Sequence, residues 1–267
     1  MPEPITTIGG AAVIAYLSKD GVSKLLGPTA DYLGGELKEL VEKSQNNVYS
    51  VFKRAEKKCG DRLDKPGTVN PRVMKHVYDE ARFCENELLS EYFGGVLASS
   101  RTKLGKDDRG VYYSQIVQAL SSYQVSCHYL FYYLIWMLSK GKKLDLNDYN
   151  DRKSLTLVLP AEVYAATFNI TDTKKEIVYI AHSLSGLSKS DLIGAGFEFA
   201  PPDTLKKSGV EVTSHSFVIE PTITGIELFI WAHGRGNDGL NAFLDQSLVE
   251  EPDLEIKLTE LAKLKAS

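Results

Sequence analysis

Cysteine, methionine and tryptophan are scarce in this 267-residue chain, at three, three and two. The cysteines, Cys59, Cys84 and Cys127, stand far apart, with no C-x-x-C pair and no histidine at ligand spacing. That argues against a disulfide framework and a zinc centre, so they read as reduced, buried thiols. Walker, G-x-S-x-G and H-E-x-x-H elements are missing, which leaves P-loop, serine-hydrolase and zincin chemistry without support. A basic surplus is missing as well. Lys and Arg number 31 against 35 Asp and Glu, and the deficit lies in residues 141–267, where 13 basic face 19 acidic side chains for a net of −6. Proteins that read phosphates need clustered cations, so this balance argues against nucleic acid as the partner. The opening "MPEPITTIGGAAVIAYLSKD" has no cationic stretch before its short apolar run and meets Lys19 and Asp20 early. It lacks the pattern of a secretory signal, and the expected compartment is the cytoplasm.

What is present is globular: 43% apolar and 25% charged residues, in a chain long enough for two domains. Apolar residues at three- and four-residue steps predict a helix between Ile5 and Leu26. A second helix is predicted from Pro28 through Leu37, Val41, Val48 and Phe52, with a basic end of Lys53, Arg54, Lys57 and Lys58 facing the negative pole of its dipole. Residues 60–70 are rich in turn formers. Asn70 before Pro71 is a capping side chain followed by a helix-starting proline, and one helix is expected onward with Val73, Val77, Ala81, Cys84, Leu88 and Val96 on its apolar face. His76 and Glu80 share a helix face, a spacing that invites a metal, but no further ligand element accompanies them and they read as solvated.

Residues 110–139 contain no Asp, Glu, Lys or Arg. As one helix they would be about 45 Å long, enough to cross a bilayer. Ser114, Gln115, Gln118, Ser121 and Ser122 form a polar stripe in the first half, however, and the all-apolar part, Tyr129 to Leu138, is well short of the roughly 20 residues a span needs. The stretch "HYLFYYLIWMLSKGKK" is therefore read as a core helix closed by Lys140, Lys142 and Lys143. Its aromatics would reach lipid only if the helical domain opened.

The chain then changes character. The fold class expected is mainly α: an all-helical domain over 1–140, a polar linker over 141–154, a small α+β winged-helix-like domain over 155–249, and a tail over 250–267 with a short amphipathic helix through Leu254, Leu258 and Leu261. In the α+β part, "TDTKKEIVYIAHSLSGLSKSDLI" predicts a helix with Ile177, Ile180, Ala181 and Leu184 on one face. "GAGFEFA" and "SHSFVIEPT" predict a hairpin with "PPDTLKKSG" as a long tip, and "ITGIELFIWAHG" predicts a closing helix. "HGRGNDG", residues 233–239, is the one stretch suited to a polar ligand. Its glycines allow backbone approach, Arg235 can grip an anion, His233 and Asp238 can exchange protons, and Asn237 adds a donor and an acceptor. The competing reading of the same residues is a helix cap and turn. No cofactor or metal is implied.

Three blocks resemble the abortive-infection alpha (Abi-alpha) family of bacterial proteins: "SKLLGPTADYLGGELKEL", "NPRVMKHVYDEARFCENELLSEYFGGVLASS" and "ITGIELFIWAHG". Gly94 and Gly95 stand where that family tends to alanine or leucine. The resemblance implies an effector or accessory protein in phage defence and carries over no catalytic residue. The expected function is non-enzymatic, acting by protein interaction or conformational change on a protein partner or a second copy, with conditional membrane contact. Two alternatives stand beside it: a nuclease or nucleotide-consuming toxin with its site near 233–239, and a DNA-binding winged-helix regulator.

Overall fold

The computed structural model describes residues 46–265, so the expected first helix, the opening of the second and the first Abi-alpha-like block lie outside the described residues. The described part is mainly helical with two small antiparallel sheets. It divides into two units: residues 46–119 with 231–237, and residues 120–230 with 238–265.

In the first unit, helix α1 (46–59) buries Val48, Val51, Phe52, Ala55 and Cys59 along one stripe. Its basic end does more than face a dipole. Arg54 Nε and Lys58 Nζ reach the two carboxylate oxygens of Glu91 at 2.6 and 2.7 Å, and Lys58 also donates to the carbonyls of Glu91 and Ala232. After the 3₁₀ turn Gly60–Asp64, strand β1 (Thr68–Val69) leads into α2 (Pro71–Ala81), capped as expected by the Asn70 side chain with Pro71 at the first position.

The single helix expected from Pro71 through Val96 is in fact two. It breaks at 82–86, where the Asn86 side chain accepts from Leu89 N at 3.0 Å and starts α3 (Glu87–Ser99). A capping amide offers the backbone a competing partner, and that local bond outweighs the continuing apolar period. Strand β2 (Arg101–Thr102) pairs with β1, and α4 (Gly110–Ala119) packs with α2 and α3. The two glycines that depart from the family pattern sit at close approaches. A Cβ on Gly94 would lie 2.7 Å from the Arg54 Cβ, and one on Gly95 would overlap the Ala232 carbonyl. Nothing larger than hydrogen fits at either place.

The second unit is built on α5 (Ser122–Ser139). The uncharged run 110–139 is not one rod: Ser121 forms a capping box with Gln124 and starts α5 afresh. Of the expected polar stripe, Gln115 and Gln118 face solvent, whereas Ser114 is buried and donates to Val111 O. Tyr129, Leu130, Phe131, Tyr132, Leu134 and Ile135 are wholly buried, each contributing about 2 kcal/mol of transfer free energy. The apolar stretch is core, and Lys140 closes it with Nζ 4.4 Å from the Trp136 ring centroid. The phenol of Tyr132 donates to Leu192 O at 2.6 Å and accepts from Thr222 N at 3.1 Å.

Onward from α5, short α6 (Tyr149–Lys153) leads to β3 (Leu157–Pro160), α7 (Ala161–Thr167) and α8 (Thr173–Lys189), which packs on α5. Strands β4 (Glu198–Ala200) and β5 (Ser216–Ile219) pair antiparallel with Phe199 opposite Phe217. The long tip between them folds into α9 (Pro202–Lys207), and Leu205 and Val210 from this tip cover Val158, Ala200 and Val218. Helix α10 (Ile223–Ala232) follows, and in the sheet β5 lies between β4 and β3. The last strand, β6 (Lys263–Leu264), corrects the expectation of a tail helix. After a 3₁₀ turn at Thr259–Leu261, this segment adds to the free edge of β3, with Leu264 opposite Leu157. Leucines four apart suit a helix, but an unpaired strand edge competes for the same backbone.

Candidate functional site

Of the four residues singled out in 233–239, His233, Arg235 and Asn237 belong to the first unit and Asp238 to the second. Gly234 has φ +75°, and its N–H donates to Trp231 O, the geometry of a helix C-cap. The Trp231 ring stacks on Tyr113 at 4.3 Å and carries the Arg109 guanidinium 5.6 Å from its centroid. Arg109 is itself clamped by Asp107, whose carboxyl its hydrogen bonds hold below the usual range. Asn237 uses both ends of its amide here. Its oxygen accepts from Arg109 Nη2 at 2.8 Å and its nitrogen donates to Ser99 O at 2.7 Å, while Gly236 N donates to Ser99 Oγ at 3.0 Å.

Asn237 is thus a strut that fixes the turn. His233 and Arg235 are half-buried, and Asp238 is exposed. Residues 234–239 also have the G-x-G-x-x-G spacing of dinucleotide loops. They leave a helix and enter a 3₁₀ turn at Leu240–Leu244, instead of joining a strand to a helix N-terminus, so the context that would bind a pyrophosphate is missing. Ser99, Asp107 and Arg109 hold this loop from more than 120 residues away, and nothing in the local sequence marked them.

The other chemical candidates are engaged in structure. Glu80 Oε1 accepts from Gln118 Nε2 at 2.7 Å, and burial, first among its causes, raises its pKa. Among the described residues no group of three or more His, Cys, Asp or Glu is disposed to hold a metal. No helix among them is long and apolar enough to cross a membrane. A hollow of about 290 Å³ beside the sheet is lined by Lys153, Thr156, Glu198, Glu220 and Lys265, charges of both signs that suit no single class of ion.

The surface that asks for an occupant is on α8. Asp172 caps the helix by accepting from Lys174 N at 3.1 Å. The face turned inward is Ile180, Ser183, Leu184 and Leu187, so the expected face of Ile177, Ile180, Ala181 and Leu184 is corrected by part of a turn. Two small residues allow this rotation. Ser183 satisfies its hydroxyl on Tyr179 O at 2.8 Å, and Gly186 gives room to the Gln124 side chain. The rotation leaves Ile177, Val178 and Tyr179 at 54%, 68% and 45% exposure. Tyr179 stacks on Tyr123, itself 51% exposed, at 4.8 Å, and His182 Nε2 lies 3.0 Å from Ser121 Oγ. Another exposed aromatic, Phe199 on edge strand β4, lies against His215 and Phe217. Single exposed apolar residues are ordinary; three in succession on one helix, the last stacked on the exposed Tyr123, mark a contact surface.

No protein-family model, curated protein or solved structure matched this chain.

Proposed function

We propose that this chain is a non-enzymatic, cytoplasmic protein of phage defence, of the abortive-infection kind, in which a winged-helix-like module binds a protein partner. The exposed apolar face of α8 carries the reading. The order of elements in the second unit supports the module: helix α5, strand β3, helices α7 and α8, then hairpin β4–β5 with β5 beside β3. In a winged helix that order places α8 as the recognition helix and β4–β5 as the wing.

What α8 presents there is Ile177, Val178 and Tyr179. Solvent-facing Tyr and branched apolar side chains suit a protein surface, where burying them is favourable, and are poorly suited to phosphate. The defence role rests on the Abi-alpha-like blocks, two of which form α2, α3 and α10. Gly94 and Gly95, the departures within them, have a packing reason of their own in the close approaches of Arg54 and Ala232. The enzyme alternative finds no favouring observation in 233–239, where Asn237 is committed to holding the loop.

The test is phage plating on cells expressing the native chain or a doubly substituted Ile177→Asp, Val178→Asp chain. Both side chains are exposed, so the variant is expected to fold with an unchanged melting temperature and to lose protection. Undiminished protection by the folded variant would overturn the proposal.

A further inference from the structure

We infer that the partner segment received by α8 and Tyr123 is apolar at its centre and carries carboxylates at both ends; this rests on the interaction reading above and adds its chemistry. The argument is charge complementarity. Lys174 and Lys175 stand exposed on the first turn of α8 and Lys189 at its last residue; between them Val178 and Ala181 are exposed in the N-terminal half, followed by the polar His182 and Ser185. At 3.6 residues per turn these positions share one side of the helix, and Ile177 and Tyr179 form its shoulders. Glu176, the one carboxylate of α8, falls on the far side from Val178 and is half-buried.

The neighbouring carboxylates are already used. Asp172 accepts from Lys174 N and pairs with Lys175 at 3.3 Å, and Asp191, beyond the helix end, accepts from Thr224 Oγ1 at 2.7 Å. Lys257 adds a cation 3.4 Å from Asn169 Oδ1, in the turn before the helix. In a half of the chain with net charge −6, an outward face with lysines at both ends and no carboxylate among residues 174–189 other than the averted Glu176 is a local reversal of sign. Such a face selects a partner by its acidic flanks while the apolar centre and the Tyr123–Tyr179 pair hold it. Duplex DNA fits less well: α8 contains no Arg, Asn or Gln, the side chains that read base edges, and it exposes Ile177, Val178 and Tyr179 instead.

The test uses the full chain and fluorescence anisotropy with labelled probes. One is a helical peptide with leucines at i, i+3, i+4 and i+7 and glutamates at both ends; the second has the same leucines with lysines at the ends; the third is a DNA duplex. Phosphatidylcholine–phosphatidylglycerol vesicles are tested by co-sedimentation. The glutamate-ended peptide is expected to bind about tenfold tighter than the lysine-ended one, with the advantage shrinking as salt is added. Lys174→Glu with Lys189→Glu should abolish or invert that preference, and Val178→Asp or Tyr123→Ala should weaken both peptides. Equal affinities, no peptide binding, a preference for lysine ends, or tighter binding of duplex or vesicles would each overturn the inference. Loss of protection in the doubly substituted Ile177→Asp, Val178→Asp chain alongside equal peptide affinities would remove only the acidic-flank chemistry. Retained protection in that chain removes the interaction reading itself.

Discussion

Lowering the pH should destabilise the second unit through His128. This side chain is wholly buried in α5, against the Tyr132 ring at 4.5 Å, with Nε2 3.1 Å from Gly225 O. A carbonyl only accepts, so Nε2 carries the proton and donates it, and the imidazole is neutral. Burial, the leading cause, pushes its pKa down to about 3, while the hydrogen bond to Gly225 opposes this. In the unfolded chain the group titrates near 6.5. Between these values the unfolded state binds a proton that the folded state refuses, so stability is full above about pH 6.5 and falls as pH drops toward 3. The slope approaches about 1.4 kcal/mol per pH unit, and integration gives about 2 kcal/mol lost between pH 7.5 and 5.

The assay is urea unfolding across that range for the native chain and for His128→Gln, whose amide can keep the donor to Gly225. Staying above pH 5 keeps Asp107 and Asp145, whose carboxyls are held below the usual range mainly by hydrogen bonds from Arg109 and Asn147, out of the comparison. The native chain should lose about 2 kcal/mol more than the variant over the window. Identical pH dependence in the two would refute the reasoning.

Two further substitutions probe the packing. Gly95→Ala, whose Cβ meets backbone, should cost about 3 kcal/mol or more, whereas Gly186→Ala meets the movable Gln124 amide and should cost about 1 kcal/mol, mostly the lost bond to Ser121 N; thermal melts that ranked them the other way would contradict the close-approach argument. Tyr132→Phe removes a donor to Leu192 O and an acceptor for Thr222 N without changing shape, and chemical denaturation should show a loss of about 2 kcal/mol, against none if those bonds are incidental.

Where the chain announced its structure, it did so through short-range chemistry. Asn70-Pro71 starts a helix because a side-chain acceptor and a fixed φ both act on the next turn, and the ten apolar residues from Tyr129 proved to be core because length alone separates core from span. What was not legible had two sources. The breaks before α3 and α5 come from local Asn86 and Ser121 caps hidden in continuing apolar patterns, and β6 forms only because β3, distant in sequence, has a free edge. The candidate surface shows the same division. Helix α8 itself was evident, but its rotation was set by Gln124 against Gly186 and by Ser183 bonding its own backbone. That part-turn is what moved Ile177 from expected core to exposed surface.

The return of residues 231–237 to the first unit makes both units discontinuous along the gene. A truncated chain ending anywhere between 120 and 230 would strip the first unit of the indole that Tyr113 stacks on, of a carbonyl that Lys58 bonds, and of the amide that spans Ser99 and Arg109. Such a fragment should be recovered aggregated or degraded, while the missing heptapeptide supplied in trans, or fused through a short loop after residue 119, should restore it. A nonsense mutation late in the reading frame would thus damage the part translated first.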